Sequence, residues 1–141
     1  MISLQHVIDF LTPTGYNIEL SVTPEINLQE VIELPTIYLG YSGIQAKNPN
    51  AAIASDIYST HGEDITQTFD IHIVTTVEDL PTVWQNVYMA LVGKTPTSIV
   101  SSPASVSGFT YAQGGVLGLG NGKIWHLDKY VIALPTDNVL F

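Results

Sequence analysis

Cysteine and arginine are both absent from this chain of 141 residues, and only 12% of its residues are charged. Without cysteine there is no disulfide framework and no thiol chemistry, and the redox compartment stays open. Without arginine, the cationic side chains are Lys47, Lys94, Lys123 and Lys129, set against 13 acids for a net charge of −9. Gripping a phosphate backbone takes clustered basic side chains. One copy of this chain has no such cluster, so specific nucleic-acid binding is excluded. No apolar run approaches the ~20 residues of a membrane-spanning helix. Residues 1–11 lack a basic segment and carry Asp9, so a secretory leader is not expected. The charged fraction is about half the usual one. A surface so poor in charge suits burial against other subunits.

Hydrophobic residues make up 45% of the sequence. With this length, they predict one domain over residues 1–141 around one core. The charge is lopsided. Residues 1–80 hold eleven acids and Lys47, whereas residues 81–141 hold Asp128, Asp137 and three lysines. No charged residue lies between Lys94 and Lys123. A solvated acidic face accounts for this; so does an assembly with one acidic surface and one neutral contact surface.

The clearest signal is residues 65–93, where an alternating strand runs into an amphipathic helix. Phe69, Ile71, Ile73, Thr75 and Val77 fall on one strand face, and Asp70, His72, Val74 and Thr76 on the other. Asp79 is placed to cap a helix, with Glu78 or Thr76 able to serve instead, and Pro81 is tolerated in its first turn. Leu80, Val83, Trp84, Val87, Tyr88 and Leu91 then form one apolar stripe, and Gly93 stops the helix. Trp84 is the expected core anchor. Upstream, Ser3 opens a first helix carrying Leu4, Val7, Ile8 and Leu11. Residues 16–22 and 36–41 read as strands, residues 28–34 as either a helical turn or a strand, and residues 42–50 as a loop.

Residues 52–60 are expected to pair with residues 65–77 in a long hairpin. Its turn would be His61, Gly62, Glu63 and Asp64. Residues 107–112 read as a strand. Residues 113–122 contain Gly114, Gly115, Gly118, Gly120 and Gly122, and read as a flexible hairpin or open loop. Residues 123–134 form a last strand, with Ile124, His126, Asp128, Tyr130 and Ile132 on one face. Trp125, Leu127, Lys129, Val131 and Ala133 take the other. The tyrosines Tyr38, Tyr41, Tyr58, Tyr88, Tyr111 and Tyr130 are expected at the core edge, with hydroxyls reaching water. The fold class that follows is α+β, a mainly antiparallel sheet with two principal helices and a long β-hairpin.

Tests for chemistry return little. The glycine run ends in Gly122-Lys123, but a phosphate loop would need glycine at Leu117 and a hydroxyl residue at Ile124. A dinucleotide fingerprint from Gly118 and Gly120 would place its third glycine at Lys123. No Gly-x-Ser-x-Gly elbow occurs. His6 with Asp9, His61 with Glu63 and Asp64, Asp70 with His72, and His126 with Asp128 are all pairs of ligand type. None matches a metal motif, so no metal, cofactor or catalytic residue is assigned. Asp70/His72 and His126/Asp128 are expected as neighbours on one sheet face, forming a polar cluster suited to a ligand or a subunit contact.

The run Leu34-Pro35-Thr36-Ile37-Tyr38 is similar to segments of the tail terminator proteins of long-tailed bacteriophages. So are residues 69–74, the strand ending in Val74, and Asp79-Leu80 leading into Val87-Tyr88-Met89-Ala90-Leu91-Val92-Gly93. The closing Gly122-Lys123-Ile124-Trp125 strand adds to the resemblance. It covers most of the chain as an order and length of elements, and it carries no catalytic residue. It implies a small α+β subunit of the virion, assembled in the host cytoplasm as a homo-hexameric ring. Such a ring caps the tail tube protein, stops tube polymerisation and presents a surface to head-completion or neck proteins and, in contractile tails, to the sheath. DNA passes through the hole without specific binding, and no membrane is involved. The acidic, arginine-free composition suits such a channel. The hairpin turn at His61, Gly62, Glu63 and Asp64, the neutral residues 95–107, and the loop glycines are the expected contact elements. Two alternatives remain open: a tail tube or head–tail joining subunit, and a small-ligand-binding or hydrolytic α+β domain.

Overall fold

The computed structural model describes residues 2–20, 26–46, 64–96 and 108–135. Its most constrained element is β3, Asp64–Thr76. Alternation puts Phe69, Ile71, Ile73 and Thr75 on a fully buried face. His72 and Val74, on the opposite face, are buried as well. A strand buried on both sides belongs in the middle of a sheet, and β3 lies there, hydrogen-bonded along both edges.

The elements run in the order α1 (Leu4–Leu11), a 3₁₀ turn (Thr12–Thr14), β1 (Asn17–Leu20), β2 (Thr36–Ala46), β3, α2 (Leu80–Leu91), β4 (Thr110–Gly120) and β5 (Lys123–Pro135). The sheet order is β1-β2-β3-β5-β4. β1 pairs with β2 in parallel, and the other pairings are antiparallel. The fold is therefore α+β with a mainly antiparallel sheet. α1 and α2 pack against each other on one face, where α2 meets β3 and α1 meets β2.

Both helices start and stop as the sequence predicts. The Ser3 amide donates to His6 Nδ1 at 3.0 Å, and the Ser3 hydroxyl lies 2.8 Å from the same nitrogen. This closes the first turn of α1, and Asp9 accepts from Gln5. Ahead of α2, Thr76 Oγ1 accepts from the Asp79 amide at 3.2 Å, and the Asp79 carboxylate makes no capping bond. The core between helices and sheet holds Val7, Leu11, Ile37, Leu39, Val83, Val87 and Leu91. Phe69 lies at its centre, 5.7 Å from Phe109 edge-on and 5.0 Å from Tyr41. The buried Gln67 side chain ties down the chain start: Oε1 accepts from the Ile2 amide at 2.8 Å and Nε2 donates to the Ile2 carbonyl at 3.0 Å.

Several expectations change. β2 runs on to Ala46, through the expected loop at Gly43, with a bulge between Tyr41 and Gly43. The hairpin partner of β3 is β2 rather than residues 52–60. Those residues lie outside the described ones, as do His61, Gly62, Glu63 and most of the neutral segment 95–107, and both edges of β3 are already taken by β2 and β5. Asp64 belongs to β3, opposite Pro135, not to a turn. Residues 28–34 are neither helix nor strand; the carbonyls of Leu28 and Val31 accept from Lys123 Nζ at 3.0 and 2.6 Å.

The largest correction concerns the glycine run. Gly114, Gly115, Gly118 and Gly120 lie within β4, not in a flexible loop. The turn shrinks to Asn121 and Gly122, both at positive φ (54° and 74°), the signature of a two-residue hairpin turn matched to strand twist. Tyr130 is also deeper than expected, fully buried, and its hydroxyl has no partner among the described residues. Phe69→Ala should lower unfolding stability by about 3–5 kcal/mol. A denaturant midpoint close to that of the parent chain would contradict this placement of the core.

Candidate functional site

Asp128 is completely buried, although it bears a carboxylate. It lies on β5 opposite Ile71, on the helix side of the sheet. Burying a charge is costly unless it is well hydrogen-bonded, and here three side chains supply bonds. Oδ1 accepts from Trp84 Nε1 at 3.1 Å and from the Tyr111 hydroxyl at 2.9 Å. Oδ2 lies 3.1 Å from His126 Nδ1. The donors come from α2, β4 and β5, so the carboxylate ties the β4–β5 hairpin to the helix.

Each donor is placed by its own element. Trp84 faces the sheet because the apolar stripe of α2 does. Tyr111 and His126 share the helix-side face with Asp128 through the β4–β5 register, which sets Tyr111 opposite Tyr130 and Gly114 opposite Asp128. Gly114 must lack a side chain here. A Cβ at that position would overlap the Asp128 carboxylate and the Tyr111 hydroxyl. Burial, and then the neighbouring Asp128, push the Tyr111 phenol up to about 12, so it stays a donor across the physiological range.

Above this cluster is an open groove of about 940 Å³. Trp84, Tyr88, Tyr111 and His126 wall it, and Leu80, Pro81 and Met89 extend its apolar rim. Trp84 stacks on Tyr88 with ring centroids 5.1 Å apart, and Tyr111 meets Trp84 edge-on at 5.5 Å. Trp84, expected from the sequence as a core anchor, does pack against the core. It packs at the margin of the core, half-buried, and the central large side chains are Tyr130, Phe69 and Phe109. No serine, threonine or acidic side chain lines the groove among the described residues.

The two acid–histidine pairs do not come together. Asp70 lies opposite Lys129 and His72 opposite Leu127, whereas Asp128 and His126 lie opposite Ile71 and Ile73. The first pair is thus on the outer face and the second on the helix side. Asp70 is ion-paired to Lys129 at 2.9 Å. His72 Nδ1 accepts from Trp125 Nε1 at 2.9 Å, which leaves its proton on Nε2. Among the described residues no group of three or more acidic or histidine side chains is placed to hold a metal. His126 and Asp128 were legible as a pair; Trp84, Tyr111 and Gly114 were missed as their partners, because the pairing of β4 with β5 brings Tyr111 and Gly114 there and the docking of α2 brings Trp84. No helix among the described residues is long and apolar enough to cross a membrane.

No family model matches the chain, and no curated protein matches it.

Two predictions follow the geometry. Gly114→Ala should destabilise the fold by roughly 1–3 kcal/mol through overpacking, while Gly115→Ala, where a Cβ meets open space, should stay within about 0.5 kcal/mol. Equal denaturation midpoints for the two variants would refute the cluster. The second concerns His72. Burial lowers its pKa below 6.5, opposed by Asp70 and aided by Lys129. The unfolded chain then takes up the proton first, so the contribution of a neutral His72 is complete above the unfolded value and declines as pH falls below it. The stability advantage of the parent over His72→Asn should shrink between about pH 7.5 and pH 5.5, as read from urea midpoints. A constant difference would show that His72 does not titrate in this way.

Proposed function

We propose that the chain is a structural subunit that assembles with copies of itself into a closed ring, acting as a tail terminator. In this reading the ring caps a phage tail tube, ends its polymerisation and offers its other face to neck proteins, with DNA passing through the hole. The support comes from the sheet edge formed by β4. Among the described residues β4 pairs on one side only, with β5. It carries Val116, Leu117 and Leu119, each at least half exposed, and no charged residue. Protected edges ordinarily carry lysine or other charges, and contiguous exposed apolar side chains mark interaction surfaces.

The strand blunts its backbone edge in a different way. Register shifts fall between Tyr111 and Gln113 and between Val116 and Gly118. Such bulges twist an edge away from indefinite strand addition. An edge sticky through side chains but irregular in its backbone suits a closed ring better than an open filament. The exposed acids Asp9, Glu19, Glu30, Glu33, Glu78 and Asp79 suit a body through which a polyanion must slide without adhering. This reading assigns no catalytic role.

The test is assembly state. Native mass spectrometry and electron microscopy of the purified chain should give closed rings, hexameric by the resemblance, that bind one end of tail tubes. Leu119→Asp should shift the population toward monomer while changing monomer stability by no more than about 0.5 kcal/mol. A chain that stays monomeric at high concentration and in the presence of tubes would overturn the proposal, and long filaments would point to a tube subunit instead.

A further inference from the structure

We infer that the groove over Asp128 binds a planar cation, the arginine side chain of a protein other than this one. The groove presents acceptors and π faces. Asp128 Oδ2, which as a carboxylate oxygen accepts, lies 3.1 Å from His126 Nδ1; in the uncharged imidazole this makes Nε2 the acceptor. That nitrogen makes no hydrogen bond among the described residues, and the imidazole lines the groove. The Gln85 side chain, also on the wall, adds an amide oxygen. Guanidinium carries only donors, in a flat fork, and stacks on aromatic faces. Trp84, Tyr88 and Tyr111 supply such faces, to which cations are drawn.

The charge around the groove points the same way. Glu78 and Asp79 immediately precede Leu80 and Pro81 at its rim and are exposed. They offset the partial positive charge of the α2 N-terminus. Asp128 lies beneath the aromatic floor. Among the described residues no lysine lines the groove: Lys123 is committed to the Leu28 and Val31 carbonyls, and Lys129 to Asp70 on the other face. The chain contains no arginine, so a second copy cannot fill the site. The partner is therefore a different protein that inserts an arginine, and the inference stands apart from ring closure.

The experiment titrates the isotopically labelled full-length chain with N-acetyl-arginine methylamide and follows its resonances by NMR. Saturable shifts are expected at the Trp84 indole N–H and at Tyr111 and His126, with the lysine analogue and N-acetyl-tryptophan methylamide both binding more weakly. Tyr88→Leu and His126→Phe should each weaken arginine binding by about threefold or more, whereas Trp125→Phe on the opposite face should leave it unchanged. The absence of saturable shifts at these residues would overturn the inference. So would equal binding of lysine, tighter binding of the neutral aromatic, or parent-like affinity in both groove variants. Ring closure is read separately, by particle size.

Discussion

The pairing of β3 with β5 is the constraint on which the rest of the molecule depends. Thirteen residue pairs follow one another without a bulge, from Asp64 opposite Pro135 to Thr76 opposite Lys123. Because side chains alternate, that register settles at once which residues of both strands meet the helices. Phe69, Ile71 and Ile73 join Tyr130 and Ile132 in the core. Asp128 and His126 come inward with them, and Asp70, His72 and Lys129 go outward. A slip of β5 by one residue would turn Lys129 toward the helices and Tyr130 and Ile132 to the outer face.

Having brought a carboxylate inside, the fold must satisfy it. Trp84, Tyr111 and His126 do so from three elements, and Gly114 leaves the space in which they meet. The same bonds orient the groove. Trp84 is held with its indole edge toward Asp128 and its face against Tyr88, and His126 is held with one nitrogen committed and the other free. Burial of Asp128 and presentation of an aromatic, acceptor-rich surface are thus two consequences of one cluster.

The edge of β4 and the lining of the groove both lack acidic and lysine side chains among the described residues, but they differ in geometry. The edge offers short aliphatic side chains on a strand bent by two bulges, a surface that copies of the chain can match among themselves. The groove is walled by rings and bordered by acids, and the cation it suits occurs nowhere in the sequence. A subunit with self-contact on one surface and a foreign arginine on another would be joined to its own kind and to a neighbour by separate chemistries.

Much of this was legible in the residues. The bounds of α1 and α2, the stripe from Leu80 to Leu91, the alternation of β3 and β5, and the α+β class all follow from local periodicity and turn chemistry, which act over a few residues. Other features were misread locally. The glycines of β4 suggested a loop, although Asn121-Gly122 is itself a strong hairpin signal; once that turn is placed, the glycines before it must be strand. Pairing between distant segments carries no local signature. That β2 rather than residues 52–60 lies beside β3, that the two acid–histidine pairs face opposite ways, and that Trp84 and Tyr111 converge on Asp128 were decided only in three dimensions. The sequence by itself determined the elements and their buried faces, because hydrophobic period and backbone preference are short-range. The tertiary structure alone decided which polar groups share a site, because strand register and helix docking bring together residues that the chain keeps far apart.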